Sequence, residues 1–218
     1  STRLVGRADE LTHLQSMLQA VISMNNAQLV TLTGEMGVGK TRLSYDFEEW
    51  LRHGPQQTAV FWGQVQAGPG QTSFGLMREA LSSYFEIYPR GSARVSREKL
   101  VQGIVGVLDG DDEARKREQA HFIGHLLGFD FSDSPDVQGV LHQPQRIRAF
   151  AFQDLAAFFT AVSRDVAAVV LILEDIQNVD EGSLDLVEYL LEACRDIPML
   201  VLATARPSLW EKRPSWQW

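Results

Sequence analysis

A glycine-rich segment that ends in lysine and threonine is the part of the sequence best suited to chemistry. Residues 34–41 read GEMGVGKT, which satisfies the spacing G-x-x-x-x-G-K-[ST]. Glycines let the backbone curl so that successive N–H groups converge on phosphate oxygens. Lys40 is expected to reach the β- and γ-phosphates, and the Thr41 hydroxyl is expected to ligate Mg²⁺. The sequence therefore predicts a nucleotide-binding loop. Its predicted binding residues are Gly34, Glu35, Met36, Gly37, Val38, Gly39, Lys40, Thr41 and Arg42.

A pair of adjacent acids lies further along the chain. In VVLILEDIQNVD, Glu174 and Asp175 directly follow an apolar run that is typical of a buried strand. A P-loop, or Walker A, segment needs a carboxylate on a neighbouring strand to position its metal, and ligands of such sheets bind outside the carboxyl ends of the strands. Two adjacent carboxylates are costly to keep there unless a cation lies close by. We therefore expect this Walker B candidate pair to serve Mg²⁺ and the attacking water, with Thr41 as the third metal ligand.

An arginine follows another apolar run. In LVLATARP, Thr204 and Arg206 stand at the end of the run, where the carboxyl edge of a further strand is expected. An arginine at that edge can stabilise the charge of a γ-phosphate or report its loss, whereas the alternative is a surface arginine that precedes Pro207. The predicted catalytic residues are Lys40, Glu174, Asp175 and Arg206.

These residues require a parallel sheet to bring them together. Four apolar runs are predicted as strands: 27–33, 58–65, 166–173 and 198–205. Near-continuous apolar strands that alternate with helical patterns are typical of a parallel sheet flanked by helices. Between about 74 and 160 no strand signal appears and helical spacing recurs. The predicted fold is therefore α/β, a P-loop NTPase over residues 1–218 with a helical insertion between the second strand and the Walker B strand.

Composition limits the classes of partner. The net charge of −8 argues against a general nucleic-acid surface, since phosphate neutralisation needs an excess of lysine and arginine. No apolar run reaches the roughly 18 residues that predict a membrane span. The single cysteine, Cys194, fits a reducing cytoplasm and is expected to be a buried structural thiol. We expect a cytoplasmic protein that binds neither nucleic acid nor membrane directly.

Four segments taken together carry a family resemblance. LVGRADEL, GEMGVGKT, LILEDIQNVD and LVLATARP occur in the order and character of the STAND-type AAA-like P-loop ATPases. The chain most resembles the ATPase modules attached to bacterial nucleotidyl cyclases and to large LuxR-type transcriptional regulators. The resemblance covers both ends of the chain well and the helical middle poorly.

The resemblance implies roles for individual residues. It places the opening Val-Gly-Arg segment against the adenine and ribose, which implicates Val5, Gly6 and Arg7. It implies Glu174 for Mg²⁺ and Asp175 for orienting the water, although the two roles could exchange. Arg206 is similar in position to the family's sensor residue, on a strand expected between the P-loop and Walker B strands.

The sequence also departs from the family pattern. Where the family often has His-Trp-Ala-Asp after the acids, residues 177–180 read Gln-Asn-Val-Asp, so no role of that His or Trp carries over. Asp180 is expected to cap a helix. The resemblance implies a further strand and a lid or winged-helix segment, so we expect a core cut from a longer multidomain regulator. Three tryptophans are then expected to be exposed at an artificial end: Trp210, Trp216 and Trp218.

The leading hypothesis is an ATP- and Mg²⁺-dependent switch domain of a signalling or transcription regulator that hydrolyses ATP slowly. Its expected partners are the nucleotide (ATP or ADP), other domains of the same polypeptide, and a second copy in nucleotide-dependent self-association. A small-molecule kinase with an acceptor site in the helical insertion is one alternative. A nucleotide-locked scaffold that never turns over is another. No N-K-x-D-type segment indicates guanine specificity.

Overall fold

The computed structural model describes residues 8–65, 72–88 and 92–216. Its strands are β1 (Ala27–Thr33), β2 (Thr58–Gln64), β3 (Ala168–Glu174) and β4 (Met199–Ala205). Its helices are α1 (Ala8–Met24), α2 (Lys40–His53), α3 (Gly75–Tyr84), α4 (Ala93–Val107), α5 (Glu113–Leu126), α6 (Pro135–Gln138), α7 (Pro144–Val162), α8 (Glu181–Ala193) and α9 (Leu209–Lys212). A 3₁₀ turn, Ile176–Asn178, follows β3. The predicted α/β fold is confirmed.

The strands form a parallel sheet in the order β1-β4-β3-β2 over the described residues. Each is rich in the β-branched and apolar residues that a sheet covered on both faces requires. Because β4 lies between β1 and β3, the segments that follow these three strands meet at one edge of the sheet. That edge carries the glycine-rich loop, the acid pair and Arg206.

The core has two layers, one on each face of the sheet. Alternate residues of β3 and β4 point to opposite faces, as the period of a strand dictates. Helices α1 and α2 cover one face, with the buried residues Leu14, Leu18, Val21, Leu43, Phe47, Leu51, Ala168, Val170, Ile172, Leu200 and Leu202. The other face packs against α3, α7 and α8 in a larger cluster that continues into the remaining insertion helices. The central strands are therefore enclosed, and the acid pair lies at the end of a fully buried strand.

Helices α3 to α7 make up the chain between β2 and β3 in the part that the structure describes, which confirms the predicted helical insertion. Helix α3 lies directly on β2, so closely that a Cβ at Gly63 would stand 2.5 Å from the carbonyl oxygen of Leu76. The Phe-rich helix α7 buries Phe158 and Phe159 against Phe61 of β2. The insertion is thus packed onto the sheet as part of the same core.

The expectation that the tryptophans near the end of the chain are exposed is wrong for Trp216. Its side chain is 1% exposed, and its Nε1 donates a hydrogen bond to Oγ1 of Thr31 on β1 at 3.1 Å. Trp210 is partly buried, and Trp218 lies outside the described residues. An indole has a large apolar surface. Burying it against β1, whose residues are otherwise mostly half-buried, is more favourable than leaving it in solvent.

None of the helices in the described part of the chain combines the length and apolarity that a bilayer crossing requires.

Candidate functional site

The loop between β1 and α2 has the backbone that its glycines permit. Gly37 and Gly39 adopt φ angles of 83° and 86°, in the left-handed region that side chains disfavour. Gly34 is required for a different reason, because a Cβ there would lie 2.9 Å from Cγ2 of Val38. The N–H of Gly34 donates to the carbonyl of Ala205 at 3.2 Å, which fixes the start of the loop to the end of β4. The result is a tight cradle at the carboxyl edge of the sheet.

Lys40 opens helix α2 and turns back into this cradle. Its residue is only 9% exposed, and Nζ donates to the carbonyl oxygens of Gly34 at 2.6 Å and Glu35 at 3.0 Å. The residue that caps α2 is Gly39, which has no side chain to occupy the first N–H groups of the helix. Those N–H groups and the lysine charge are the features that bind phosphate at a helix N-terminus.

Glu174 is a buried acid whose negative charge its neighbours only partly compensate. It is the last residue of β3 and is 0% exposed, and within the described residues neither carboxylate oxygen accepts a well-formed hydrogen bond. Burial raises the pKa of this carboxyl, although the nearby Thr41 and Ser44 hydroxyls favour its charged form. The adjacent Asp175 raises the pKa further, while the Lys40 charge lowers it. A buried carboxylate without a hydrogen-bond partner is costly, and a cation close to it would offset that cost.

The donors at this position suit Mg²⁺. Carboxylate and hydroxyl oxygens are hard ligands, and Mg²⁺ in nucleotide sites takes only one or two carboxylates and completes its shell with waters and phosphate oxygens. Over the described residues no group of three or more His, Cys, Asp and Glu is placed to hold a metal alone. A partial oxygen site made by Glu174 and Thr41 is consistent with a cation that arrives with a nucleotide.

Asp175 is held in an unusual backbone conformation beside β4. Its φ of 54° lies in the left-handed region, and its N–H donates to Oγ1 of the buried Thr204 at 3.0 Å. This bond crosses from the end of β3 to the end of β4. Positive φ at a residue other than glycine is uncommon and costs free energy, and aspartate tolerates it better than most side chains. This conformation ends the extended backbone of β3. Asp175 lies at the same edge of the sheet as the glycine-rich loop.

Arg206 follows β4 and reaches the tip of the loop. Its guanidinium Nη2 lies 3.5 Å from Sδ of Met36, whose side chain is mostly exposed. The backbone N–H of Arg206 donates to Oε1 of Gln177 at 3.0 Å. Its guanidinium therefore contacts the loop at Met36.

The structure thus gathers most of the predicted residues at one edge: the loop residues 34–41, Glu174, Asp175 and Arg206. Their catalytic and binding roles remain predictions. Arg42 lies on α2 and pairs with Asp46 at 3.0 Å on the exposed side of that helix. Three predicted nucleotide contacts lie outside the described residues: Val5, Gly6 and Arg7.

Asp180 has the capping role expected for it. Its Oδ1 accepts from the N–H of Ser183 at 3.0 Å at the start of α8, and its Oδ2 accepts from the Ser183 hydroxyl at 2.6 Å. The same Oδ2 also accepts from the N–H of Phe74 at 3.2 Å, just before α3. A single carboxylate therefore fixes both α8 and the first helix of the insertion.

Two other arrangements of reactive side chains do not form sites. Ser134 and Asp136 both approach the same nitrogen, Nδ1 of His121, at 2.8 Å, so the histidine cannot relay a proton between them. The Ser134 residue is also only 4% exposed. Cys194 is buried as predicted, and burial raises the pKa of its thiol to about 11. These groups contribute to packing of the helices.

Sequence reasoning missed two residues of the edge, Gln177 and Ser44. Gln177 entered only as a departure from a family pattern, yet it is 3% exposed and bonds to Asp175 and Arg206. Ser44 is fully buried and donates to the carbonyl of Lys40 at 3.3 Å. The spacing i, i+4 from Lys40 was the available signal for Ser44. For Gln177, which lies between Ile176 and Asn178, the sequence offers no comparable signal.

Comparison with known families is consistent with this geometry. The family model described as "AAA ATPase domain" matches residues 3–202, which is most of the chain. A comparison with curated proteins found no match.

Proposed function

This chain belongs to the AAA ATPase domain family, and we propose that it is an ATP-binding, slowly hydrolysing, Mg²⁺-dependent switch domain of a signalling or transcription regulator. Domains of this family bind ATP or ADP with Mg²⁺, and the parallel sheet with its glycine-rich loop is consistent with the P-loop NTPase fold. The proposal adds the slow turnover and the switch role to that family assignment.

The observation that carries the proposal is the buried, unpaired carboxylate of Glu174 next to the loop. Burial raises the pKa of this carboxyl although the Thr41 and Ser44 hydroxyls and the Lys40 charge lower it, so its charged form is not fully compensated by the described part of the chain. A cation bound with a nucleotide would supply that compensation. Thr41 and Glu174 would hold the Mg²⁺, which offsets negative charge on the phosphates.

The remaining residues supply distinct functions around the phosphates. Lys40, now bonded to loop carbonyls, would exchange them for phosphate oxygens. Asp175, which the left-handed backbone turns out of the strand, would orient a water for attack on the γ-phosphate. Arg206 would stabilise the charge that develops there. We assign the metal to Glu174 because its carboxyl lies near the hydroxyls of Ser44 and of Thr41, the other proposed metal ligand.

Arg206 also supports a switch role. Its guanidinium contacts the loop tip at Met36, so occupancy of the γ-phosphate would compete with that contact. Loss of the γ-phosphate on hydrolysis would restore it, which is how nucleotide-dependent loops report their state. The partners we propose are other domains of a longer regulator and a second copy in the nucleotide-bound state, in the cytoplasm. The net charge of −8 supports the view that nucleic acid is not bound directly.

The test is to incubate the purified chain with ATP and Mg²⁺ and to measure bound nucleotide, ADP and free phosphate together. Wild type is expected to bind ATP and release ADP and phosphate in equal amounts at a low rate. Asp175→Asn should still bind but turn over about 100-fold more slowly or worse, because it loses the base that orients the water. Asp111→Asn, at an exposed turn of the insertion, is the matched control and should behave as wild type.

Other outcomes would contradict the proposal. A phosphorylated small molecule formed in place of free phosphate would indicate a kinase. Bound nucleotide with no phosphate release would indicate a locked scaffold. Equal turnover by wild type and Asp175→Asn would remove the assigned role of that acid.

A further inference from the structure

Gln177 lies between the acid and the arginine of the site and is nearly inaccessible to solvent. It belongs to the 3₁₀ turn that follows β3, and it is 3% exposed. A buried amide must satisfy its donors and its acceptor inside the protein, because leaving them unpaired is costly. The partners of Gln177 therefore indicate what holds it in place.

Its side chain bridges the ends of two strands. Nε2 donates to Oδ1 of Asp175 at 3.1 Å, and Oε1 accepts from the backbone N–H of Arg206 at 3.0 Å. The reverse orientation of the amide would set its oxygen against the carboxylate and its NH₂ against the N–H, so the two partners fix the orientation. A glutamine is one of the few side chains that can donate to a carboxylate and accept from an N–H at once.

The bridge is also connected to the helix that follows β4. Nζ of Lys212 on α9 donates to the backbone carbonyl of Gln177 at 2.7 Å. The segment after β4 therefore contacts the turn at two points, through Arg206 and through Lys212. A displacement of either strand end would have to break at least one of these bonds.

We propose that Gln177 is a positioning residue that fixes the Asp175 carboxylate relative to the backbone of Arg206, so that both face the same γ-phosphate. The inference rests on the proposed function, since it assigns Gln177 a part in that hydrolysis. In this proposal Gln177 itself contacts neither the phosphate nor the attacking water. It acts by limiting the orientations of Asp175, which raises the rate of the chemical step without adding to nucleotide affinity.

Steady-state ATP hydrolysis by substituted proteins tests this role. Gln177→Met keeps the length of the side chain but removes both hydrogen bonds. It is expected to lower kcat about 10- to 100-fold, the loss expected when a hydrogen bond to a charged group disappears, and to leave the Kd for ATP–Mg²⁺ within about threefold. Gln177→Glu keeps an acceptor for Arg206 but sets a like charge against Asp175, and it should lose kcat as well.

The insertion offers a matched control. Gln119 on α5 donates from Nε2 to Oδ1 of Asp154 at 2.9 Å, the same kind of Gln–Asp bond away from the site. Gln119→Met is expected to lower the melting temperature and leave kcat unchanged. A double-mutant cycle with Asp175→Asn adds a readout that a purely structural role would not move. Gln177→Met should cost far less kcat in the Asp175→Asn protein than in wild type.

The outcomes separate the two proposals. If wild type binds no ATP or does not hydrolyse it, the proposed function fails and the positioning role fails with it. If wild type hydrolyses ATP and Gln177→Met keeps its kcat, only the positioning role is overturned. Equal and additive losses in both backgrounds, or a loss confined to the Kd for ATP, would also overturn it.

Discussion

At the scale of single residues, the site combines several features that are unfavourable for the stability of the fold. Glu174 keeps a carboxylate in full burial, Asp175 takes a left-handed backbone, and Lys40 brings its charge inside the loop. Each of these lowers the stability of the chain without nucleotide, and violations of this kind cluster at functional sites. Three of them within one edge of the sheet indicate a site shaped for a charged ligand.

Glu174→Gln tests whether that burial is a cost to the free protein. Removing the charge while keeping the shape should stabilise the protein without nucleotide by about 1–3 kcal/mol, because an unsatisfied buried charge is eliminated. The same variant should lose the extra stabilisation that ATP–Mg²⁺ gives wild type. Thermal unfolding with and without ATP–Mg²⁺ measures both effects. A variant that is less stable than wild type without ligand would contradict this account.

Residue chemistry explains what the sequence could reveal about the site. The loop residues 34–41 and the acids could be predicted because their spacing along the chain is itself the chemical requirement. Gln177 could not, since its acceptor contact is with Arg206, 29 residues further on, and exists only because β4 pairs with β3. Trp216 was predicted wrongly for the same reason, because its partner Thr31 is 185 residues away.

At the scale of elements, hydrogen bonds connect the helical insertion to the segment that follows the acid pair. Asp180 caps α8 and also holds the N–H of Phe74, a residue in the left-handed conformation that precedes α3. Helix α3 in turn lies against β2. Asp180 therefore connects the segment after β3 to the first insertion helix.

Asp180→Ala is expected to cost more than the loss of an ordinary cap. Removing the cap of α8 and the bond to Phe74 together should lower the free energy of unfolding by about 2 kcal/mol, the upper end of the range for caps. Asp112→Ala is the matched comparison, because Asp112 caps α5 through a single bond to the N–H of Arg115 at 3.0 Å. It should cost about 0.5–1 kcal/mol. Urea denaturation measures both, and equal losses would show that the Phe74 bond contributes nothing.

The elements themselves were largely predictable, and their arrangement was not. Each predicted strand begins and ends within two residues of the observed one, because long apolar runs bounded by turns leave little choice. The packing of the insertion helices against one another depends on close contacts between particular residues. The helical periodicity of the sequence does not predict such contacts. One example is Gly124 of α5, where a Cβ would lie 2.3 Å from the Phe131 ring.

At the scale of the whole molecule, the chain after β4 returns across the fold. Arg213 bonds to Glu188 at 3.2 Å, Asp185 at 2.7 Å and Glu181 at 2.9 Å on α8, and these acids, Glu188 most strongly, raise the pKa of its guanidinium. Trp216 then packs against β1, which in the described structure pairs with β4 alone. The end of the described chain thus connects α8, which follows the acid pair, to β1, which precedes the glycine-rich loop.

Trp216→Ala tests how much this return stabilises the protein. Deleting a fully buried indole should lower the free energy of unfolding by about 3–5 kcal/mol. Trp210→Ala is the natural comparison and should cost clearly less, because Trp210 is only partly buried. Chemical denaturation followed by circular dichroism measures both. Similar small losses for the two variants would mean that the segment is not docked in solution.

The central claim is that the glycine-rich loop binds a nucleotide through Lys40, and calorimetric titration with ATP–Mg²⁺ tests it most directly. Wild type should bind, and Lys40→Ala should bind at least about tenfold more weakly, since a charge-assisted bond to phosphate is lost. Lys116→Ala is the control, because Lys116 is a partly buried lysine that pairs with Glu113 in the insertion. Equal affinity of wild type and Lys40→Ala for ATP–Mg²⁺ would contradict the account.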